Sequence, residues 1–219
     1  KPKKSLGQNF LTDKNIVKKI VKIGNIDKNK TVMEIGCGYG NLTEEIASFN
    51  PKKFIAVEKD KNLFINLKKK FNHNVELINQ DVLKIKWDKF YENKIIVFGN
   101  LPYNISAKLL IDLIKLSNLN LLFKKFILMF QKEVADRIVA SVDSSKYGRL
   151  AILTNWKMNT KKIMDIDPKN FYPKPKVKSS LIYFEPKNKV FNFNNSKNLE
   201  KVTDIFFQNK RKMIKKPLN

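Results

Sequence analysis

The clearest chemistry in the sequence lies in residues 100–103, Asn-Leu-Pro-Tyr, which follow the apolar run 95–97. The run predicts a buried strand, and ligands of open α/β sheets bind at the carboxyl ends of strands. This turn suits a flat base that carries an exocyclic amine. The Asn100 side-chain oxygen and a turn carbonyl can accept the two amine hydrogens, while Tyr103 can stack on the base. A proline-containing surface turn is the alternative interpretation.

A second group of residues lies upstream and could hold a nucleoside. The segment 34–40, Glu-Ile-Gly-Cys-Gly-Tyr-Gly, follows a short apolar strand and opens a helix. Its spacing is Gly-x-Gly-x-Gly, unlike the Gly-x-Gly-x-x-Gly of dinucleotide sites, so a pyrophosphate is a poor candidate ligand. Glu58 follows the second strand, about 20 residues after Gly36, where an acid binds ribose hydroxyls. Asp81 follows the third strand and is placed to meet the adenine amine.

These residues together describe a binding site for S-adenosylmethionine, a nucleoside that carries no phosphate. Gly36, Glu58, Asp81 and Asn100 come at the ends of successive predicted strands. The carboxyl ends of parallel strands share one edge of the sheet, so the four residues should lie close together. A tight turn with two solvated acids is the simpler alternative.

The chain has 219 residues and a formal net charge of +24 at pH 7. This charge favours a nucleic acid as partner over an anionic membrane surface. One cysteine, Cys37, excludes an internal disulfide and fits a reducing, cytoplasmic compartment. With one histidine beside it, the usual zinc ligand set is not available, and we expect no metal. No signal peptide is visible, and no apolar run approaches the roughly 20 residues that span a bilayer.

Apolar patterns indicate how the chain positions these groups. Strands are predicted at residues 31–35, 54–57, 75–78, 95–98 and 126–130. Helices are predicted between them, which implies a parallel sheet covered on both faces. Segments 150–154 and 180–184 are predicted as two further strands that form an antiparallel edge. One amphipathic helix around 199–206 closes the pattern.

Several motifs resemble those of the ribosomal RNA adenine dimethyltransferase family, and within it the bacterial small-subunit type. Residues 99–106, Gly-Asn-Leu-Pro-Tyr-Asn-Ile-Ser, are similar to the family's catalytic motif. Residues 7–11, Gly-Gln-Asn-Phe-Leu, resemble its amino-terminal cofactor lid. Further matches lie at 131–137, 147–150 and 171–179. The resemblance runs from residue 5 to about 185, and weakly through 207–212.

The resemblance implies a Rossmann-like α/β fold of the class I S-adenosylmethionine-dependent methyltransferases, with a mostly parallel seven-stranded sheet and helices on both faces. The methyltransferase domain is expected at 1–185, and the start of a small helical carboxyl-terminal domain at 186–219. The family usually carries more of that helical domain. The implied partner is the RNA of the small ribosomal subunit, and we expect a monomer that binds no membrane.

The same resemblance implies roles for individual residues. Asn9 and Leu11 should touch the cofactor, with backbone contacts accounting for the apolar Leu11. The resemblance adds these two to the set named above; the cofactor-binding residues expected are therefore Asn9, Leu11, Gly36, Glu58, Asp81 and Asn100. Asn100 also acts in catalysis, together with the backbone carbonyl of Leu101 or Pro102. Tyr103 is expected on one face of the target base and Phe171 on the other.

Dimethylation of two adjacent adenosines near the 3′ end of small-subunit ribosomal RNA, with a part in subunit biogenesis, is the function this resemblance implies. The macrolide-resistance branch of the same superfamily, which acts on the large subunit, is one alternative. Leu101 and the 131–137 segment favour the small-subunit type. A nucleic-acid-binding assembly factor without activity is another alternative, against which the intact Asn100, Glu58 and Asp81 argue.

Overall fold

Seven strands form one mixed sheet, in which five neighbouring strands are paired in parallel and have their carboxyl ends on the same side. The structure is a computed structural model, and it describes residues 2–3, 7–71, 74–90, 94–190 and 196–208. The strands are β1 Phe10–Leu11, β2 Thr31–Ile35, β3 Lys53–Glu58, β4 Glu76–Asn79, β5 Ile95–Gly99, β6 Phe123–Gln131, β7 Met158–Ile166, β8 Phe171–Tyr172 and β9 Ser179–Pro186. The helices are α1 Lys14–Ile23, α2 Asn41–Ala47, α3 Lys61–Lys70, α4 Tyr103–Ile114, α5 Leu119–Leu122, α6 Lys132–Ile138, α7 Arg149–Lys157 and α8 Ser196–Gln208.

The strand order confirms the mostly parallel seven-stranded sheet. It is β4-β3-β2-β5-β6-β9-β7, and β9 runs antiparallel to both of its neighbours. The short strands β1 and β8 form a separate two-stranded antiparallel pair. The chain moves outward in opposite directions from β2 and from β5, and such a switch point leaves a crevice at the carboxyl ends of the two strands. The predicted site residues follow these strands.

Burial on both faces explains why the central strands are continuous apolar runs. Successive side chains of β5 point to opposite faces of the sheet. Ile95 and Val97 pack with α4 in one apolar cluster, whereas Ile96 and Phe98 pack with α1 in another. All four side chains are fully buried. The central strands are therefore packed between helices on both faces of the sheet, and this packing fixes the positions of the residues that follow their carboxyl ends.

The predicted strand at 150–154 is wrong, because this segment lies inside α7. Ala151, Thr154 and Lys157 are buried and lie three residues apart, which is helical spacing. The Thr154 hydroxyl donates to the Leu150 carbonyl four residues back, at 2.7 Å. The seventh strand of the sheet is β7, which follows directly and is rich in lysine and polar residues. A charged edge strand discourages pairing with another chain, and it gives no apolar signal in the sequence.

The predicted last helix is α8, and ion pairs attach it to the rest of the molecule. Arg149 of α7 lies 3.0 Å from Asp204, and Lys115 after α4 lies 2.9 Å from Glu200. The division into domains at 185 and 186 stays a prediction. The weak family match at 207–212 lies almost wholly outside the described residues.

Candidate active site

The carboxyl ends of β2, β3, β4 and β5 surround a cavity of about 840 Å³, counting its open mouth. This size is typical of small-molecule sites. Seven of the residues predicted from the sequence line it: Asn9, Gly36, Glu58, Asp81, Asn100, Leu101 and Pro102. The structure thus brings together side chains that are up to 93 positions apart in the sequence.

The glycine loop after β2 closes one wall of this cavity. Gly36 and Gly38 have φ angles of +77° and +59°, a region that side chains other than glycine rarely adopt. A Cβ atom on Gly38 would lie 2.5 Å from the ring of Phe10, which belongs to the amino-terminal segment. The glycine therefore lets that segment pass directly over the loop.

Glu58 is the most constrained acid of the site. It is 6% exposed, and its two carboxylate oxygens accept the backbone N–H groups of Gly38 at 2.9 Å and Asp60 at 2.8 Å. Burial raises the pKa of Glu58, although these two donors oppose the shift. Each carboxylate oxygen has a second lone pair. The two N–H donors therefore orient the carboxylate, and its remaining lone pairs can accept hydrogen bonds from two hydroxyl groups.

Asp81 is an ionised acceptor that lines the same cavity after β4. One of its oxygens accepts from the Leu83 N–H at 3.1 Å, and the other lies 2.8 Å from the Lys59 ammonium. The hydrogen bond from Lys59 holds the pKa of Asp81 below its usual value. Lys59 is largely exposed, so this pair is screened by solvent and contributes little stability. Asp81 can exchange that partner for a ligand amine.

Asn100 connects the end of β5 to the amino-terminal segment. Its side-chain nitrogen donates to the Asn9 carbonyl at 3.0 Å. Because this bond uses the nitrogen, the Asn100 oxygen is the atom left to accept a hydrogen. Asn41 donates to the Leu11 carbonyl at 2.7 Å, and Leu11 pairs with Phe171 between β1 and β8. Leu11 lines a smaller cavity beside the main one, together with Gly36 and Asn100.

The turn after β5 leads straight into α4. The Pro102 carbonyl already accepts the N–H groups of Ile105 and Ser106 at 3.1 and 3.2 Å. Tyr103 is the first residue of α4, and its hydroxyl lies 2.7 Å from the Ser179 hydroxyl on β9. Ser179 is fully buried. The Tyr103 ring is therefore held at its backbone end by the helix and at its hydroxyl end by the sheet.

Phe171 does not present an open ring face in this structure. It is 4% exposed and belongs to the apolar cluster that contains Leu11, Met129 and Leu181. Its sequence neighbour Tyr172 is 61% exposed. Stacking of Phe171 on a target base stays a prediction, and it requires that the ring leave this packed position.

Glu34 is a buried acid that the sequence analysis did not single out as a site residue. It lies at the end of β2, is 1% exposed and lines the smaller cavity beside Gly36 and Asn100. One of its oxygens has no hydrogen-bond partner among the described residues. Burial, and then the charge of Glu58, raise its pKa to about 8. The signal in the sequence was a lone acid inside the apolar strand 31–35.

The described part of the chain contains no group of three or more His, Cys, Asp and Glu side chains placed to hold a metal ion. Cys37 is buried, and burial followed by the charges of Glu34 and Glu58 raises the pKa of its thiol well above the usual value. None of the helices seen there is long and apolar enough to cross a bilayer.

Comparison with known proteins decides the family. A family model described as ribosomal RNA adenine dimethylase matches residues 1–219. The chain belongs to this family. A ribosomal RNA small subunit methyltransferase A of Pelagibacter ubique (strain HTCC1062) is 52% identical to this chain over 219 residues, covering 100% of this chain and 83% of the relative. A protein of the same name from Wolbachia sp. subsp. Brugia malayi (strain TRS) is 41% identical over 221 residues. This match covers 100% of this chain and 84% of the relative.

Solved structures agree with the fold of the dimethylase. A dimethyladenosine transferase from Plasmodium falciparum has a TM-score of 0.83 at 32% identity, covering 95% of this chain and 74% of that one. The 23S rRNA methyltransferase ErmE has a TM-score of 0.73 at 22% identity, covering 95% and 83%, and shows the fold alone. The dimethylase is thus an S-adenosylmethionine-dependent methyltransferase with a class I fold, as the motifs implied.

The raised pKa of Glu34 gives the dimethylase a measurable dependence of stability on pH. Between its ordinary value of 4.5 and about 8, the folded state holds a proton that the unfolded chain has lost. Wild-type stability therefore falls as pH rises through this window. Glu34→Gln does not titrate, so its stability relative to the wild type should rise by up to about 1.4 kcal/mol per pH unit. Urea denaturation without cofactor from pH 5 to pH 8 measures this difference.

Glu44→Gln is the matched control for this measurement. Glu44 lies on the surface of α2, where the hydrogen bond from Lys70 lowers its pKa. Its substitution should give no gain that grows with pH. A difference between Glu34→Gln and the wild type that stays constant from pH 5 to pH 8 would contradict the assignment of a protonated Glu34.

Proposed function

We propose that this dimethylase methylates the exocyclic amines of two adjacent adenosines in a loop near the 3′ end of small-subunit ribosomal RNA, as a step in subunit biogenesis. The observation that carries the chemistry is Asn100, whose oxygen is left as an acceptor at the edge of the cavity. The small-subunit substrate is supported by the full-length similarity to relatives named for that subunit.

The residues of the main cavity fit the cofactor. Glu58 offers acceptors for the two ribose hydroxyls, and Asp81 offers one for the adenine amine. The glycine loop at Gly36 lets the backbone approach the ligand, and Asn9 lines the same cavity. Leu11 reaches the ligand through its backbone from the smaller cavity alongside. When bound, S-adenosylmethionine supplies a methyl group activated by a sulfonium. No Lewis acid is needed for such an electrophile, so the proposal includes no metal.

Asn100 and a turn carbonyl prepare the target amine. An adenine amine is a weak nucleophile because its lone pair is delocalised into the ring. Two hydrogen-bond acceptors on the amine hydrogens localise the lone pair on the nitrogen and orient it toward the methyl group. The barrier to methyl transfer is thereby lowered through orientation and not through a strong base. The Leu101 carbonyl is the better second acceptor, because the Pro102 carbonyl already accepts two N–H groups of α4. Both acceptors are neutral and leave no charge beside the sulfonium. The proton that the amine loses on gaining the methyl group passes to solvent at the open mouth of the cavity.

Tyr103 supplies the stacking surface for the base. Its ring cannot swing freely, because the Ser179 hydroxyl holds its far end. The adenosine must lie outside a base stack to reach this ring, which is least costly for a nucleotide already in a loop. A pocket open enough to readmit the methylated amine allows two transfers to each base.

We propose a monomer that acts in the cytoplasm.

The choice of substrate is tested by offering the purified protein three RNA classes at matched salt. Immature small subunits should be methylated in preference to large subunits and bulk tRNA, because the charge of +24 binds any RNA while a looped adenosine pair provides the selectivity. Nucleoside mass spectrometry should then detect dimethyladenosine in the small-subunit RNA. Equal methylation of the three classes at physiological salt would refute the small-subunit assignment.

Measurements of cofactor binding and of the methyl-transfer rate distinguish the proposed role of Glu58 from that of Asn100. Glu58→Ala should weaken S-adenosylmethionine binding about 10- to 100-fold, because a charged hydrogen-bond acceptor is lost. Asn100→Ala should lower the single-turnover rate about 100-fold or more, with a smaller loss of affinity, because it removes an acceptor that acts on the reacting amine. Calorimetry in a chelator measures binding and tests the absence of a metal.

Asn118→Ala serves as the control in both measurements. Asn118 is exposed and precedes α5, away from the cavity. An Asn100→Ala enzyme with the wild-type rate would contradict the proposed mechanism. Cofactor binding that appears only after a metal is added would contradict the metal-free site.

A further inference from the structure

The segment that joins β7 to β9 is positively charged and lies beside the site. Residues 167–178, called the basic loop here, contain β8 and four lysines, Lys169, Lys174, Lys176 and Lys178. All four lysine side chains are exposed. Asp167 is the single acid of the segment. The loop therefore offers a compact cationic surface to a polyanion.

These ammonium groups are not committed to partners within the described parts of the chain. No carboxylate there lies within 4.0 Å of any of the four lysines, since none takes part in the ion pairs of the structure. The contrast lies next to the loop, where Lys132, Lys146 and Lys162 surround Asp136 at 2.7 to 2.9 Å. Those three would have to give up a carboxylate to bind a phosphate, and the lysines of the basic loop would not.

The lysines of the loop also lie near one another. The N–H of Lys169 first, and then the positive charges of Lys169, Lys178 and Lys174, hold the pKa of Asp167 below its usual value. Ile166 pairs in register with Ser179 between β7 and β9, so the two ends of the loop, with Lys169 and Lys178 close to them in sequence, meet at one place. Adjacent phosphates of a single RNA strand present a matching row of negative charges.

Tyr172 adds an aromatic face to this cluster. Successive residues of a strand point to opposite sides, and in β8 Phe171 is buried while Tyr172 is 61% exposed. Tyr172 pairs in register with Phe10, which lines the main cavity. Exposed aromatic rings beside lysines are the arrangement that binds single-stranded nucleic acid, by base stacking and phosphate contacts.

The basic loop leads directly to the wall that holds the target base. Ser179 follows Lys178 and lies 2.7 Å from the Tyr103 hydroxyl. The Lys178 carbonyl accepts the Lys132 N–H at 2.9 Å, which anchors this end of the loop beside α6. The basic loop therefore ends next to the residue that contacts Tyr103.

We propose that the basic loop binds the nucleotides next to the target adenosine, with Tyr172 stacking on a neighbouring base and Lys169, Lys174 and Lys178 contacting phosphates. The inference rests on the proposed function, because it assigns a second set of RNA contacts to the same site. It concerns the neighbouring nucleotides and not the methylated base.

The test measures binding of immature small subunits over a series of salt concentrations. The triple variant Lys169→Ala/Lys174→Ala/Lys178→Ala should bind more weakly, and its log affinity should fall less steeply with log salt, by about 2 to 3 in slope for three lost phosphate contacts. The control triple is Lys28→Ala/Lys52→Ala/Lys124→Ala. It removes the same charge from exposed lysines near the amino ends of β2, β3 and β6, on the opposite sheet edge.

The stacking contact is tested separately by methylation kinetics. Tyr172→Ala should raise KM for the small subunit about 10-fold, as expected for a lost base stack. Tyr172→Phe should keep the wild-type KM, because it retains the ring. Phe49→Ala is the control, since Phe49 is also exposed but precedes β3 at the opposite edge. Cofactor affinity measured by calorimetry should be unchanged in every variant.

The outcomes distinguish this inference from the proposed function. An unchanged KM in Tyr172→Ala, or an equal loss of salt slope in the control triple, would overturn the role of the basic loop while wild-type methylation of small subunits still stands. Absence of small-subunit methylation by the wild type would instead refute the proposed function. A KM that rises equally in Tyr172→Phe and Tyr172→Ala would overturn stacking in favour of a hydroxyl contact.

Discussion

The buried carboxylate of Glu58 is the interaction on which the site depends. It accepts N–H groups from the glycine loop and from Asp60. Asp60 in turn accepts the side chain of Gln8 at 3.3 Å and lies 2.9 Å from the Lys3 ammonium. The amino-terminal segment held in this way places the Asn9 carbonyl against Asn100. Glu58 and Asn100 are therefore connected through the amino-terminal segment, which contacts both ends of the site.

The parallel sheet and most of the site could be predicted because their signals are local. Runs such as 95–97 have to be buried on both faces, and glycines are needed where the backbone takes positive φ values. Once the strands are parallel, the residues that follow them must meet at one edge. Asn9, Gly36, Glu58, Asp81 and Asn100 lie around one cavity for that reason. Their individual roles stay predictions.

Other features depend on tertiary contacts that the sequence does not reveal. The apolar segment 150–154 forms a helix because its buried positions face α4 and α6, and short apolar runs do not distinguish helix from strand. Phe171 was expected to stack on the target adenine base. The pairing of β8 with β1 instead points its side chain toward the apolar core. The Tyr103–Ser179 hydrogen bond joins residues 76 positions apart. The only signal that the sequence carried for Glu34 was its position as an acid within an apolar strand.

The central claim is that Asn100 is held with its side-chain oxygen toward the target amine while Glu58 holds the ribose. A high-resolution crystal structure of the protein with S-adenosylhomocysteine and adenosine tests it most directly. We expect both ribose hydroxyls of the cofactor product on Glu58, the Asn100 nitrogen still on the Asn9 carbonyl, and the Asn100 oxygen within hydrogen-bond distance of the adenosine amine. A ribose bound away from Glu58, or an Asn100 amide turned so that its nitrogen faces the amine, would contradict the account.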